Sequence, residues 1–378
     1  MQADSLQATC LLQATCLLQA QAEVPVTNPE HLIERVFDHF AGHDAEITPI
    51  ERGSSAAFFF GQVFMQARPN GIVMGVKAED EIALSRMKGM AASHLIEFVE
   101  GERPRFAWTG DGAGITQFPN FREMTVERIV DVTPHLRRIT LSGSDLGRYA
   151  THGQHLKLLM PPEGISKPEW PVPGEDGLPI WPSDDKRPQV RTYTVRSLDL
   201  VSGTFDVDFV LHGDHSVGSR WALNTRRGDV VGVRGPIGRP VPEAEWFLLV
   251  GDETALPGIA RALEGLPANA QGIAFIEVAD KSEEQPIHYG AGVELRWLHR
   301  NGAEPGTTSL LVDAVRSVEI PAAGTRVHAM AGVEYSAFKA IRRYWRDELK
   351  LDKKNVLPVA YWRSGVAEGE KVPDDNDD

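Results

Sequence analysis

Six residues of alternating type, RTYTVR at 191–196, place an aromatic ring and two hydroxyls between two arginines. In an extended strand, Arg191 and Tyr193 share one face. Thr194 and Arg196 lie on the opposite face. A flavin dinucleotide needs such a set, because a guanidinium pairs with its pyrophosphate and an aromatic ring stacks on its planar ring system. We interpret Arg191 and Tyr193 as cofactor ligands. Tyr193 and Thr194 are the candidate catalytic residues, with Thr194 hydrogen-bonded near the flavin nitrogen that receives hydride. An ordinary amphipathic strand with exposed arginines fits the same residues.

A loop rich in glycine and serine, within LHGDHSVGSRWA at 211–222, follows one strand after this motif. Gly213, Gly218 and Ser219 precede a short predicted helix, so the loop would aim free backbone N–H groups at a phosphate. Glycine turns before helices are also common where no phosphate binds. The position of the loop, directly after the arginine strand, favours the phosphate interpretation.

A third candidate is the turn in VGDETALPGIARALEGL at 250–266, where a predicted strand ends at Gly251 and a helix follows. This geometry places a dinucleotide against a helix N-terminus, at the carboxyl edge of a parallel sheet. The turn lacks the GxGxxG fingerprint, and Asp252 and Glu253 would repel phosphate if they faced it. A plain strand-to-helix turn with Thr254 as the cap explains the same residues.

Other polar residues carry weaker signals. His39 and His43 lie four apart on a predicted helix, a possible metal spacing, but no third ligand is near in sequence. We therefore expect helix-surface histidines and no metal site. His299 and Arg300 end a predicted strand. They either face a cofactor cleft or have only a structural role, with their hydrogen bonds made at the end of the strand. In the closing YWRSG we expect the aromatic residues to pack, whereas Arg363 has no evident structural reason.

Composition limits the class of protein. With 42% hydrophobic and 24% charged residues over 378 positions, the chain is typical of a globular protein of two or three domains. Its net charge of -14 argues against general nucleic-acid binding, which needs a basic face. An anionic ligand must therefore meet local cations. Both cysteines, Cys10 and Cys16, lie in an N-terminal repeat, which excludes a disulfide framework, a thiolate zinc site or an iron–sulfur cluster as a core feature.

The N-terminal segment, MQADSLQATCLLQATCLLQAQAEV, copies LQATCL twice and ends near an Ala-Gln-Ala that imitates a signal-peptidase site. We reject a signal peptide because the segment carries Asp4 but no Lys or Arg, and Gln13 interrupts its apolar stretch. We expect a disordered extension over 1–23 and a cytoplasmic location. No apolar run reaches the roughly 18 residues that a membrane-spanning helix needs.

Residues 24–112 predict a small α+β domain. Apolar spacing favours helices at 28–42 and 80–101. Between them, the chain alternates polar and apolar residues around Asn70 and Gly71, which indicates a hairpin.

The pattern of predicted secondary structure changes twice in the rest of the chain. Over 118–241, six short strands with Gly or Pro turns favour an antiparallel β-barrel. Its longest connection, 161–187, is expected as a surface loop over the barrel. Over 245–365, strand-like and helical runs alternate, which predicts a parallel α/β sheet. The acidic end, 366–378, is expected to be a disordered tail. A barrel followed by such a sheet is the order in which a flavin domain joins a nicotinamide domain.

Six ordered motifs resemble the siderophore-interacting proteins, which are FAD-containing ferric-siderophore reductases of the ferredoxin-reductase-like superfamily. They are RTYTVR, VDFVLHG with GSRWA, GDETALPGIAR, WLHR, AGVE and YWRSG. The resemblance spans 118–365 and implies a flavin-binding barrel, an NAD(P)H-binding domain and reduction of siderophore-bound iron. Residues 28–109 separately resemble a small domain of unknown function, sometimes fused to these reductases, through DHFAGH, SHLIEF and FAW.

Carried over by position, the resemblance implies an FAD site at Arg191, Tyr193 and Thr194. It further implies a second FAD segment and a pyridine-nucleotide turn, at His212, Gly213, Ser219, Trp221, Ala222, Gly251, Asp252, Glu253, Thr254 and Ala255. The family usually has Gly-Pro-Ala-Ser where this chain has Ser-Val-Gly-Ser at 216–219, so the loop departs from the family's pattern.

The resemblance implies that NADPH or NADH reduces FAD, which then reduces Fe(III) in a siderophore and releases Fe(II). Ferric catecholates are anionic, so the site needs cations, for which Lys157 and Arg363 are candidates beside Lys186 and Arg187. Two alternatives stay open. One is a protein that binds ferric siderophore without turnover. The other is a flavin oxidoreductase that takes electrons from a partner such as an external ferredoxin.

Overall fold

The computed structural model describes residues 17–42, 45–151, 153–165, 167–213, 216–290, 292–321 and 324–367. The chain divides into two compact units. The first comprises Met1–Phe121 with Glu169–Asp184, and the second Arg122–Pro168 with Asp185–Asp378. Both cysteines and the acidic end from residue 368 lie outside the described residues. Across the described ranges, no helix is both long and apolar enough to cross a membrane.

The first unit is an α+β domain built on one antiparallel sheet. Its strands are β1 (Leu18–Val24), β2 (Glu46–Ile50), β3 (Gly53–Phe58), β4 (Gly61–Arg68), β5 (Gly71–Ala78) and β6 (Thr109–Gly110). Across the sheet the order is β2-β3-β4-β5-β1-β6. Two helices, α1 (Pro29–Gly42) and α2 (Glu81–Phe98), contribute apolar side chains to its core. Both helices are confirmed, as is the hairpin, whose turn places Arg68 opposite Gly71.

Strand β1 corrects the prediction of a disordered tail over residues 1–23 for its last part, from Leu18 onward, whereas residues 1–16 lie outside the described residues. It pairs along its whole length with β5. Ala20, Ala22 and Val24 are buried, whereas the polar residues between them are exposed. The cause is present in the sequence as a strict alternation, LQAQAEV, which is the period of a half-buried strand.

The second unit begins with a closed barrel of six antiparallel strands, which confirms the predicted barrel. The strands are β7 (Phe121–Thr133), β8 (Leu136–Ser142), β9 (His155–Met160), β12 (Gln189–Asp199), β13 (Thr204–Val210) and β14 (Val230–Ile237). Around the barrel the order is β12-β13-β8-β7-β14-β9. Two short helices, α3 (Arg148–Thr151) and α4 (Val217–Asn224), lie in the connections. Fully buried side chains fill the interior, among them Val126, Ile139, Leu158, Val195 and Val207.

The long connection at 161–187 corrects a second prediction, that of a loop over the barrel. Its central part, Glu169–Asp184, belongs to the first unit. There it forms a small hairpin of β10 (Val172–Pro173) and β11 (Pro179–Ile180). The indole N–H of Trp108 donates to the backbone oxygen of Asp176 at 2.8 Å, and Arg103 pairs with the Asp176 carboxylate at 2.6 Å. These bonds attach the hairpin to the N-terminal domain.

The remainder of the second unit is a five-stranded parallel sheet with helices between its strands, which confirms the predicted α/β fold. The strands are β15 (Trp246–Gly251), β16 (Gln271–Val278), β17 (Gly292–His299), β18 (Val327–Glu334) and β19 (Val356–Trp362). The helices are α5 (Leu256–Gly265), α6 (Leu310–Arg316) and α7 (Tyr335–Arg343). The order across the sheet is β17-β16-β15-β18-β19. Sequence reasoning did not find β19. Parallel strands bring their carboxyl ends to one edge, where a ligand site is expected.

Candidate functional site

Strand β12 carries the arginine–tyrosine motif and places its two faces in different surroundings. Val195 faces the barrel interior, and Tyr193 lies on the same side, its ring centroid 4.3 Å from that of Phe209. Thr194 and Arg196 lie on the other side and are buried where β12 contacts α5. The strand therefore separates the Tyr193 ring from the Thr194 hydroxyl, as alternation requires.

The two arginines of the motif have different partners. Arg196 forms a two-pronged ion pair with Glu264 at the end of α5, with both N–O distances 2.7 Å. Arg191 is half-buried and donates to the backbone oxygen of Val190 at 2.8 Å. Within the described part of the chain, no carboxylate pairs with Arg191. Arg196 thus joins the barrel to the α/β sheet, and Arg191 retains a guanidinium that can bind an anion.

The loop before α4 is closed by its own side chains. The Ser219 hydroxyl donates to the Gly213 carbonyl at 2.5 Å and accepts from the His212 N–H at 3.2 Å. Ser216 caps the helix by accepting from the Ser219 N–H at 3.3 Å, and contacts His212 Nε2 at 3.1 Å. These bonds engage both polar groups of Ser219, so this residue shapes the loop and does not offer a free N–H to phosphate. Residues 214–215 lie outside the described residues.

The α4 segment and β12 meet directly at Tyr193. A Cβ placed on Gly218 would lie 1.8 Å from the Tyr193 hydroxyl, so only glycine leaves room for the tyrosine there. Trp221 extends this aromatic contact, because its ring centroid lies 5.4 Å from that of Phe209. Ala222, the next residue, is fully buried. The structure therefore brings the two predicted flavin segments together around one aromatic cluster.

The turn after β15 engages its first carboxylate internally. Asp252 is buried and accepts from the Thr254 N–H at 2.9 Å and from the Trp362 indole N–H at 2.7 Å. Burial raises the pKa of Asp252, while the bonds from Thr254 and Trp362 lower it. The backbone N–H groups of Ala255 and Leu256 donate to the Asp252 carbonyl. The backbone N–H groups at the start of α5 therefore find most of their acceptors within the turn itself.

The second carboxylate of the turn is also paired. Arg300, which is buried, donates to both oxygens of Glu253, at 3.0 Å to Oε2, and to Glu277 at 3.4 Å. The Thr308 hydroxyl donates to the other Glu277 oxygen at 2.9 Å. Arg300, directly after β17, therefore has its hydrogen bonds within the protein. This is the structural alternative of the two that the sequence left open for this residue. His299 contacts Glu284 at 2.9 Å.

Two glycines make room at the carboxyl edge of the sheet. Gly251 and Gly332 lie opposite each other on β15 and β18. A Cβ on Gly251 would lie 2.5 Å from the Ala255 side chain, and one on Gly332 would lie 2.8 Å from the Tyr361 ring. The missing side chains therefore allow Ala255 and Tyr361 to pack tightly against this edge.

A histidine that sequence reasoning missed connects this edge to β12. His155 Nδ1 lies 3.0 Å from Thr194 Oγ1, and its Nε2 lies 3.3 Å from the Tyr361 hydroxyl. Tyr361 is thus more than a packing residue. No sequence pattern could have paired His155 with a tyrosine 206 residues away.

The barrel surface near this histidine carries a row of polar side chains. Thr192, Lys157 and Arg234 lie opposite one another on β12, β9 and β14. Lys157 donates to the Thr192 hydroxyl at 2.6 Å. Burial lowers the pKa of Arg234 to about 10, which leaves it charged at neutral pH. Arg234 was missed because only the cross-strand register places it beside Lys157.

Three weaker candidates lie elsewhere. Arg363 places its guanidinium 4.5 Å from the Tyr335 ring centroid, a structural contact that sequence reasoning did not foresee. His39 packs on α1 against the His94 and Phe98 rings, at 5.1 and 5.4 Å. Its predicted neighbour at residue 43 lies outside the described residues.

The barrel and the parallel sheet together define a two-domain fold, in which barrel strand β12 packs against helix α5 of the sheet. Residues 244–365 match the siderophore-interacting protein family, and residues 125–240 match the siderophore-interacting FAD-binding domain. The chain belongs to the siderophore-interacting protein family. Residues 21–109 match a separate family described as an uncharacterized protein conserved in bacteria.

Two relatives that carry reductase names are similar to this chain. The ferric vibriobactin reductase ViuB of Vibrio cholerae serotype O1 is 32% identical over 63% of this chain and 87% of its own length. The NADPH-dependent ferric-chelate reductase of Escherichia coli K12 is 31% identical over 65% and 93%. Among solved structures, a siderophore utilization protein from T. fusca is 38% identical, with a TM-score of 0.59 over 65% of this chain and 94% of that chain. SipS from Aeromonas hydrophila is 33% identical, with a TM-score of 0.56 over 66% and 94%.

The side chains on β12 fit an FAD. Arg191 supplies a guanidinium with no carboxylate partner among the described residues, which suits a pyrophosphate. Tyr193 supplies an aromatic ring, and Thr194 supplies a hydroxyl that hydrogen-bonds to His155. A cation, an aromatic ring and a hydroxyl are the kinds of group that suit a flavin dinucleotide.

Proposed function

We propose that this chain is an NAD(P)H-dependent flavoprotein that reduces ferric siderophores in the cytoplasm. The observation that carries the proposal is the meeting of β12 with the carboxyl edge of the α/β sheet, through Thr194, His155 and Tyr361. A flavin held on the barrel strand and a nicotinamide held at the sheet edge would both lie near these residues. The reductase names of the relatives from Vibrio cholerae and Escherichia coli support the same reaction.

In the proposal, residues 118–241 hold the flavin. Arg191 would bind the pyrophosphate, Tyr193 would supply an aromatic face for the ring system, and the Thr194 hydroxyl would hydrogen-bond the flavin near the nitrogen that receives hydride. The flavin, when bound, accepts a hydride and passes on its electrons one at a time. The α4 segment supports this strand from behind, since Gly218 contacts Tyr193 directly.

Residues 245–365 hold NADPH or NADH in the proposal, with the turn at 251–255 against the nucleotide. Asp252 accepts a hydrogen bond from the Trp362 indole, and Glu253 pairs with the Arg300 guanidinium, so both carboxylates are engaged within the protein. The repulsion that these acids would exert on a phosphate is therefore reduced.

The substrate site is proposed beside the flavin, on Lys157 and Arg363. Lys157 follows His155 by two residues, and Arg363 follows Tyr361 by two, so each lies about 7 Å along the chain from the central hydrogen bonds. Arg234 adds a second cation beside Lys157. These charges suit an anionic ferric chelate in a protein whose net charge is -14.

Electron balance fixes the stoichiometry of the proposed reaction. One hydride carries two electrons, and each Fe(III) accepts one. One nicotinamide therefore reduces two ferric ions to Fe(II) and releases one proton. Siderophores hold Fe(II) far less tightly than Fe(III), so reduction frees the metal.

The test is an air-free assay with FAD-loaded protein, a ferric catecholate siderophore, NADPH or NADH, and an Fe(II)-specific chelator. We expect the ferric-siderophore band to bleach, with two Fe(II) trapped per nucleotide oxidised. No Fe(II) above the protein-free control contradicts the proposal. Tight binding of the ferric chelate without Fe(II) would instead indicate a carrier. If Fe(II) forms only when reduced ferredoxin is supplied, the electron donor is a ferredoxin and not a nicotinamide.

A further inference from the structure

We propose that His155 and Tyr361 are positioning residues that orient the Thr194 hydroxyl as a hydrogen-bond donor toward the flavin, and thereby favour the oxidised cofactor. The inference rests on the proposed FAD site. It concerns the direction of two hydrogen bonds, from Tyr361 to His155 and from His155 to Thr194.

The three side chains are held in place by their surroundings. Tyr361 packs over Gly332, and the His155 and Tyr361 rings meet edge to face, with centroids 5.8 Å apart and planes at 86°. Thr194 is 5% exposed. A Cβ on Gly238 would lie 3.2 Å from His155 Cδ2, so this side of the imidazole is also closely packed. These three side chains, the His155 row, are therefore closely packed, and their hydrogen bonds differ only in where the protons lie.

The protonation states of the row follow from burial. Burial lowers the pKa of His155, and the nearby charge of Arg261 lowers it further, so the imidazole is neutral at pH 7. Burial, with the Asp252 charge adding to it, raises the pKa of the Tyr361 phenol, so this group keeps its proton. The row thus holds one imidazole N–H, one phenol O–H and one threonine O–H.

Two arrangements of these protons fit the same distances. In the first, Tyr361 O–H donates to Nε2 of His155, and Nδ1–H donates to Thr194 Oγ1. The Thr194 O–H then remains to donate to a ligand. In the second, Nε2–H donates to the Tyr361 oxygen, and Nδ1 accepts the Thr194 O–H. Thr194 then offers only lone pairs to a ligand.

The structure favours the first arrangement. Among the described residues, no acceptor other than His155 Nε2 lies within hydrogen-bond distance of the Tyr361 hydroxyl. The second arrangement therefore leaves the partly buried Tyr361 O–H without an acceptor, which is unfavourable. The first arrangement gives the Tyr361 O–H and the His155 Nδ1–H an acceptor each, and leaves the Thr194 O–H to donate to a ligand.

An outward-pointing O–H discriminates between the two forms of a flavin. The reacting nitrogen accepts a hydrogen bond when the flavin is oxidised, but carries an N–H when it is reduced. A Thr194 donor therefore matches the oxidised form and opposes the reduced form. The row lowers the reduction potential of the cofactor, which strengthens the reduced flavin as an electron donor to a ferric chelate.

The test compares Tyr361→Phe in the wild-type background and in a Thr194→Val background. The phenylalanine keeps the ring over Gly332 and removes only the O–H. We expect the ratio of Kd for oxidised FAD to Kd for reduced FAD to rise about tenfold, equivalent to about 30 mV in a two-electron potential. In Thr194→Val the same change should have no effect, because the hydroxyl through which it acts is absent. Equal shifts in both backgrounds, or no shift in either, overturn the inference.

A matched control is Tyr344→Phe, at a tyrosine that lies beside Arg316 outside the row. We expect it to leave the potential unchanged, and a shift as large as that of Tyr361→Phe would contradict a specific role. A second measurement needs no flavin. Nitrogen chemical shifts of His155 in the FAD-free protein should show the neutral Nδ1–H tautomer, and the Nε2–H tautomer contradicts the proposed bias. Failure to bind FAD at all would overturn the proposed function, whereas these tautomer shifts would still report on the row.

Discussion

The barrel strand and the nucleotide turn treat their charged residues in opposite ways. On β12, Arg191 has no carboxylate partner among the described residues and bonds only to the adjacent backbone oxygen. After β15, Asp252 accepts from Trp362 and Glu253 pairs with Arg300. The comparison shows that a charge within a motif indicates a ligand site only where the fold leaves that charge without an internal partner. We therefore expect changes on the strand to affect ligand binding, and changes in the turn to affect stability.

The largest expected effect is on FAD retention in Arg191→Ala. Loss of charge-assisted hydrogen bonds, worth about 1.5–3 kcal/mol, should raise the Kd for FAD about 10- to 100-fold with little loss of stability. The matched variant is Arg196→Ala, which leaves Glu264 without its partner and should lower stability while the folded protein keeps its FAD affinity. Flavin fluorescence and urea unfolding measure the two quantities. Weaker FAD binding in Arg196→Ala than in Arg191→Ala would reverse the assignment.

In the turn, Asp252→Ala should have the opposite profile. The change removes the acceptor of the Thr254 N–H and of the Trp362 indole, and leaving such donors unsatisfied costs about 2 kcal/mol of unfolding free energy. Asp252→Asn, which keeps one acceptor oxygen, should lose less. Chemical denaturation checks stability, and fluorescence titration checks that the Kd for FAD is unchanged. A loss of FAD affinity at constant stability would place Asp252 among the flavin ligands.

The same sheet should make stability sensitive to acid through His328 on β18. Burial lowers the pKa of His328 to about 4, whereas an unfolded histidine titrates near 6.5. The unfolded state binds the proton more readily, so the contribution to stability is present above pH 6.5 and is lost as the pH falls through 4. Between pH 7 and pH 5 this amounts to about 2 kcal/mol. His328→Leu should remove that share of the pH dependence in urea unfolding, and an identical slope would contradict the assignment.

The smallest expected effect concerns the proposed substrate cations. Lys157→Ala should raise the KM for a ferric catecholate about threefold, since a partly exposed charge contributes below about 1 kcal/mol. The KM for NADPH should not change. The control is Lys353→Ala, at an exposed lysine in a helical turn before β19. Steady-state kinetics test the pair, and equal effects of both variants would indicate only general electrostatic attraction.

Much of the fold was predictable because its patterns are local. The six barrel strands and four of the five parallel strands appear as short apolar runs between Gly or Pro turns. Strand β1 was predictable too, from the alternation in LQAQAEV, but the preceding repeat drew the interpretation toward disorder. The hairpin within 161–187 was not predictable, because what holds it is the indole of Trp108, far away in sequence.

The sequence pattern predicted candidate site residues but not the residues that they contact. The alternation of RTYTVR separated Arg191 from Arg196, yet only the fold brings Glu264 to Arg196 across 68 residues. His155 begins an ordinary strand, and nothing near it in sequence indicates a bond to Thr194 or Tyr361. Local periodicity determines which face a side chain takes, and tertiary packing determines what it meets there.

The most direct test of the central claim is the air-free visible spectrum of the purified, FAD-loaded protein during a titration. We expect flavin bands that bleach on addition of NADPH or NADH and return when ferric siderophore is added, with Fe(II) as the product. A protein that binds no flavin, or whose flavin is reduced by neither nucleotide and reoxidised by no ferric siderophore, would contradict the account.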